Sequence, residues 1–193
     1  MNNKFNPKIH HRRSIRLKDY DYSQAGFYFI TLCTQNHIHL FGEINDGRML
    51  LNNRGLLIKE EWERTSKIRE NVILGEYVIM PNHFHAIVQI EHSMRTKTDS
   101  SLKLKSPSQT IGSIIRGFKG ATIKYFKTDL IQEPTIWQRN YWEHIIRTEI
   151  EYNKITNYII ENPEHWDKDK LNGGIGNTVL ETEEEYNKED WMV

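Results

Sequence analysis

The chain has 193 residues, 37% of them hydrophobic, with 26 basic and 26 acidic side chains. That apolar content suffices for one folded core; the single cysteine, Cys33, excludes an internal disulfide framework and a Cys-rich zinc site. No run of about 18 apolar residues offers a membrane span, and the charged N-terminus lacks an apolar signal core, so a reducing, cytoplasmic (nucleoid-associated) protein with no membrane partner is expected.

The zero net charge hides an asymmetry. Residues 164–193 hold nine acidic and three basic residues, and the first 18 residues hold six basic and no acidic ones. A basic body with an acidic tail suits a polyanionic partner, although a solvated surface with a solvated tail describes the same numbers.

In chain order, residues 1–24 are basic and without periodicity, as an arm would be. Residues 27–34 are aromatic and β-branched, predicting a strand. Short apolar pieces around Asn45-Asp46-Gly47 predict a hairpin over 38–51. Leu57, Ile58, Trp62 and Ile68 recur at helical spacing over 54–69. Two strands are predicted at 72–80 and 84–90, punctuated by Pro81-Asn82. The polar segment 92–108 is expected to be a loop. A helix follows at 109–127, with Ile111, Ile114, Ile115 and Phe118 on one face and Arg116 and Lys119 elsewhere. Residues 136–138 and, less strongly, 144–146 suggest short strands. The last predicted helix, 149–161, opens on Thr148 and Glu151 in a capping-box pattern and is stopped by Pro163.

This order, strand, helix, strand, strand, helix, strand and a further helix, predicts an α+β fold: a ferredoxin-like antiparallel sheet with two helices on one face plus an extra C-terminal helix. The expected organisation is a basic arm at 1–24, a domain at 25–163 and an irregular or loosely docked acidic tail at 164–193.

Two patterns could carry chemistry. His83-Phe84-His85 begins a strand, so the two imidazoles share one face and Phe84 points to the other. Neutral imidazoles are metal ligands, yet a His-x-His strand is common and does not decide a site. Lys154, Tyr158 and Asn162 are spaced four apart on the last helix, beside an apolar stripe of Ile155 and Ile159 that would dock it. A tyrosine can act as a nucleophile, and a nearby ammonium would favour its phenolate. An ordinary amphipathic helix has the same spacing.

The segment Tyr77-Val78-Ile79-Met80-Pro81-Asn82-His83-Phe84-His85-Ala86-Ile87-Val88 closely resembles the signature of the REP-associated tyrosine transposases. These are a branch of the single-tyrosine HUH transposases (His, hydrophobic, His). Arg12-Arg13-Ser14-Ile15-Arg16-Leu17 with Tyr20-Asp21-Tyr22-Ser23 is similar to the family's opening. Residues 137–147, from Trp137-Gln138-Arg139 to Ile146-Arg147, are similar to its late block, and Tyr158-Ile159-Ile160-Glu161-Asn162-Pro163 to its nucleophile helix. Four blocks in order span residues 12–163.

The resemblance implies metal-dependent cleavage and rejoining of single-stranded DNA at hairpins or palindromes through a 5′-phosphotyrosine. It makes Tyr158 the nucleophile, His83 and His85 metal ligands, and Asn162 the third ligand, with Glu143 and Glu161 as substitutes. The implied metal is Mg²⁺ or Mn²⁺. Lys154 would support the phenolate or a phosphate. Arg12, Arg13, Arg16, Lys103, Lys105, Arg116 and Lys119 are candidates for DNA contact, and Tyr141 and Trp142 for stacking on bases. A monomer is expected rather than a homodimer. The alternatives are a hairpin-binding regulator without cleavage, a replication-type HUH nickase, and a ferredoxin-like RNA-binding module. Helical geometry agrees with Tyr158 as nucleophile: Asn162 lies about 40° from it around the axis and Tyr152 about 120°.

Overall fold

The computed structural model describes residues 24–91, 110–126 and 135–173. Its centre is β1 (Gly26–Cys33), whose sequence GFYFITLC leaves no polar side unless the strand is covered on both faces. It is covered on both. Tyr28, Ile30 and Leu32 enter the larger apolar core, and Phe29 enters a smaller one on the opposite face.

The other strands are β2 (Gly42–Asn45), β3 (Arg48–Leu51), β4 (Val72–Ile79), β5 (His83–Ile90) and β6 (Trp142–Ile146). The main sheet has the order β4-β5-β1-β6 with every neighbouring pair antiparallel. This is the arrangement expected of the split βαβ order. β2 and β3 form a separate hairpin. It turns through Asp46 and Gly47 at φ 50° and 69°, the mirror-image turn that Asp-Gly supplies most easily.

Helices α1 (Asn53–Ile68) and α2 (Ile111–Phe126) lie together on the larger core. Ile58 and Trp62 of α1, and Ile111, Ile114, Ile115 and Phe118 of α2, are buried there. Asn52 caps α1 by accepting from the N–H groups of Arg54 and Gly55. Gly55 permits a close approach: a Cβ there would lie 2.2 Å from the Phe41 carbonyl oxygen.

Helix α3 (Glu149–Glu161) covers the other face. Ile155 and Ile159 are fully buried against Phe29, Ile87 and Ile146, so the apolar stripe docks the helix as its spacing predicts. Thr148 accepts from Glu151 N, while the Glu151 carboxylate reaches back to Arg147 N and to His144. The capping box therefore also ties α3 to β6.

The structure differs from the sequence reading in three places. Residues 136–138 are not a strand: Trp137 makes one isolated bridge to Thr34, and its indole N–H donates to Thr122 of α2. The strand that completes the sheet is instead the weaker prediction, extended to residues 142–146. Third, the packed structure does not end at Pro163. The chain continues in two 3-10 turns, Asn162–Lys168 and Lys170–Asn172, with Trp166 and Leu171 buried. The expected tail boundary at 164 falls inside this segment. The arm at 1–23, the expected loop at 92–108 and residues 174–193 lie outside the described residues. None of the described helices is long and apolar enough to cross a membrane.

Candidate active site

Strand alternation places His83 and His85 on the α3 face of β5, with Phe84 turned into the opposite core against Trp62. In the antiparallel register Thr31 lies directly opposite His85, and Cys33 opposite His83. Both imidazoles are completely buried, and their ring centroids are 4.6 Å apart.

Each ring is held by its Nδ1. That of His85 is 2.8 Å from Thr31 Oγ1. That of His83 is 2.8 Å from Asn82 Oδ1. The Asn82 amide cannot be turned the other way, because its Nδ2 donates to the carbonyls of His37 and Leu171 at 3.2 and 2.6 Å. The oxygen therefore faces His83, and Nδ1 of His83 must carry the proton. This leaves the lone pair on Nε2, the state in which a histidine binds a metal while its other nitrogen is anchored. Burial lowers His85 to a pKa of about 3. Burial, followed by the charge of nearby His85, holds His83 well below its ordinary value, against the opposing influence of Asn162. Both rings are neutral at physiological pH.

In the sequence Asn82 has the signal of a turn residue only; nothing local announces its two carbonyl partners. Asn82→Asp should lower stability by about 3 kcal/mol or more, since a carboxylate oxygen would then face two carbonyls with no donor between them. Urea unfolding of the purified variant measures this, and a midpoint equal to the parent's would refute the anchoring role.

Helix α3 brings the expected nucleophile to this pair. The Tyr158 hydroxyl lies 3.2 Å from His85 Nε2, and its ring is edge-on to those of His85 and Phe29. One turn further, Asn162 is buried, and its Oδ1, like His83 Nε2, has no hydrogen-bond partner among the described residues. Two buried acceptors without donors suit a cation. The donor set of two imidazoles and an amide oxygen thus fits the implied divalent ion. Among the described residues no three His, Cys, Asp or Glu side chains are grouped so as to hold a metal by themselves, so Asn162 is needed to complete a protein ligand set.

Other expected positions lie elsewhere. Glu143 pairs with Ile30, whose side chain enters the α1–α2 core, so it projects to the face opposite the histidines and cannot substitute as a ligand. Glu161 is exposed and lies beside His165 at 3.9 Å. Lys154 is exposed on α3, without a hydrogen bond or ion pair among the described residues. Tyr141 packs on the larger core under Lys119, and Trp142 lies edge-on to Phe29 and stacked on His144. Both are half-buried rather than open stacking platforms.

Arg116 and Lys119 belong to α2, across the sheet from the histidines. Arg116 is exposed. Lys119 is engaged: its ammonium donates to the carbonyls of Gln138 and Asn140 at 2.9 and 3.0 Å, and burial brings its pKa down to about 8. It acts as a clamp on the segment before β6 rather than as a surface cation. Arg12, Arg13, Arg16, Lys103 and Lys105 lie outside the described residues.

The chain is 46% identical over 179 residues to an uncharacterized protein of Haemophilus influenzae, covering 89% of this chain and 98% of that one. No protein-family model matches it. Among solved structures, it is similar in fold to a REP-associated tyrosine transposase bound to a REP hairpin. That likeness has a TM-score of 0.54 at 18% identity, over 78% of this chain and 73% of the other. A shallower likeness, TM-score 0.43 at 16% identity, is to a proposed transposase of Deinococcus radiodurans, over 78% of this chain and 98% of that one.

Proposed function

Because the chain belongs to one family with the Haemophilus influenzae protein, we propose that both are REP-associated tyrosine transposases. In this reading the chain cleaves and rejoins single-stranded DNA beside hairpins in the cytoplasm. The observation that carries it is the Tyr158 hydroxyl 3.2 Å from a buried histidine of a His-Phe-His strand, with Asn162 one turn on. The fold shared with the hairpin-bound transposase supports it.

Tyr158 supplies the attacking oxygen. Its bond to phosphorus forms as the bond from phosphorus to the 3′-oxygen breaks. The phenol loses its proton to solvent, and the departing 3′-oxygen gains one. The product is a 5′-phosphotyrosine and a free 3′-hydroxyl, with no change of oxidation state. The phosphodiester is exchanged rather than hydrolysed, so the reverse attack by a hydroxyl reseals DNA without ATP. Asn82 and Thr31 orient the imidazoles, and the fully buried apolar support under them keeps both rings neutral and fixed. A divalent ion held by His83, His85 and Asn162, Mg²⁺ or Mn²⁺, would polarise the scissile phosphate and neutralise charge there. Arg12, Arg13 and Arg16 on the arm, and Arg116 on α2, would contact backbone phosphates. The working unit is a monomer.

The test is incubation of the full chain with Mn²⁺ and hairpin oligonucleotides bearing single-stranded flanks. Denaturing gels should show a covalent protein–DNA adduct, absent with a perfect blunt duplex, because the scissile strand must be splayed to approach α3. Complete burial means that alanine at the histidines would leave cavities, so His83→Gln with His85→Gln is the better variant. It should lower cleavage by roughly 10³-fold, the worth of several kcal/mol of metal assistance. Tight hairpin binding with no adduct under any divalent ion would instead identify a binding protein without cleavage.

A further inference from the structure

The rim of the candidate centre carries an aromatic side chain that the proposed chemistry leaves unused. Beyond β1 the chain enters the 3-10 turn Gln35–His37, in which Asn36 and His37 both take left-handed backbone, at φ 57° and 52°. Two successive left-handed residues other than glycine are uncommon, and such strain persists only where the surroundings impose it. Here they do. The Gln35 N–H donates to the Ile136 carbonyl, the His37 carbonyl accepts from Asn82, and the Leu40 N–H donates to the Pro81 carbonyl. The turn thus folds the chain back onto Pro81 and Asn82, directly before His83.

This reversal presents His39. The residue is exposed, and its ring lies against that of the buried Trp166, with centroids 5.4 Å apart. Trp166 in turn lies 5.9 Å from the His83 ring. The segment that carries Trp166 is itself tied to the centre: Asn82 donates to the Leu171 carbonyl, and Asp169 lies 3.6 Å from His83. His39 makes no hydrogen bond or ion pair among the described residues, so contact with the indole is what places its ring. Burial lowers its pKa, and at physiological pH the ring is neutral. An exposed neutral ring backed by a buried indole offers a flat aromatic surface beside the centre. Tyr141 and Trp142, which the sequence offers for this purpose, are half-buried in other surroundings.

We propose that His39, supported by Trp166, is the stacking platform for one unpaired base of the single-stranded flank. The inference rests on the functional reading above and deepens it by naming where the flank is held. A base seated there brings its adjoining phosphate to the His83 side of the centre. Every base has a π face, so the contact fixes the position of the strand and tolerates its sequence. It also gives the strained turn a role: the turn keeps the platform in place before DNA arrives, so that no ordering of the loop is needed on binding.

The experiment is fluorescence anisotropy of the full chain in EDTA, where metal-dependent turnover is stopped. The probes are a bare palindromic DNA hairpin, the same hairpin with a single-stranded flank, and flanked hairpins with one abasic site at successive positions. His39→Ala should bind the flanked hairpin about tenfold more weakly than the parent, as loss of one base–aromatic stack does. It should bind the bare hairpin equally well. His39→Phe should bind both as the parent does, which a contact through charge or a hydrogen bond would not allow. The penalty of His39→Ala should vanish when the abasic site falls at one particular flank position. If His39→Ala weakens both hairpins alike, leaves flanked binding unchanged, or keeps its penalty at every abasic position, this inference alone fails. If the parent binds neither hairpin, the DNA-processing reading itself fails, and this inference with it.

Discussion

Tyr158→Phe is expected to form no covalent adduct with hairpin DNA while still folding and binding both Mn²⁺ and the hairpin. The phenyl ring keeps its edge contacts with Phe29 and His85, so the only loss is a hydroxyl and its hydrogen bond to His85 Nε2. One such bond is worth about 1 kcal/mol of stability. Catalysis, by contrast, should fall by at least ~10⁴-fold, as removal of a nucleophile does in covalent catalysis. The controls are the tyrosines whose surroundings differ. Tyr152 meets Phe27 edge-on at 5.2 Å in the apolar interface of α3, and Tyr141 lies under the Lys119 ammonium on the other core. Neither Tyr152→Phe nor Tyr141→Phe should abolish the adduct. Peptide mapping of the trapped complex decides: DNA linked to any residue but Tyr158 overturns the assignment.

The second large effect is on stability at acid pH. His85 titrates near 3 in the folded chain and His83 well below its ordinary value, both chiefly through burial. In the unfolded chain both titrate near 6.5. Between about pH 6.5 and 3 the unfolded state therefore binds more protons than the folded one. Stability rises with pH across that window and is lost as the pH falls. Each histidine contributes up to about 1.4 kcal/mol per pH unit, reached only once its unfolded form is fully protonated, so the pair should cost about 3 kcal/mol between pH 6.5 and 5. That is a large part of the stability of an ordinary domain. His37 and His39, also lowered by burial, add in the same direction. Glu151 is lowered too, its hydrogen bonds from Arg147 and His144 outweighing burial. Its contribution is present at neutral pH and is lost only below the ordinary carboxylate range. Urea midpoints from pH 7.5 to 5 should fall steeply for the parent and less for the His83→Gln, His85→Gln variant. Parallel curves would mean that the buried imidazoles do not control acid sensitivity.

What the sequence revealed about the site follows from periodicity. His83 and His85 share a face because a strand alternates, and Tyr158 and Asn162 share one because a helix returns every four residues. Contacts between elements needed the register. Thr31 supports His85 only because β1 pairs with β5 as it does, and Glu143 leaves the site because β6 pairs Glu143 with Ile30. Lys119 has the sequence appearance of a surface cation, since nothing near it predicts that the Gln138 and Asn140 carbonyls will arrive. Asp169 was hidden for a related reason. In a segment counted by its net charge it resembles a solvated acid, and only the return of the chain onto Asn82, 89 positions earlier than Leu171, brings it to His83.

The central position of β1 has an evolutionary consequence. Its alternate side chains serve two unlike interiors, the α1–α2 core through Tyr28, Ile30 and Leu32, and the α3 face that carries His83 and His85 through Phe29 and Thr31. Point substitutions can be absorbed one interior at a time. Gain or loss of a single residue within the strand cannot, because a shift by one exchanges every occupant of the two faces at once. Lineages of this family should therefore accumulate length variation in their connecting segments while the codon count from Gly26 to Cys33 stays invariant.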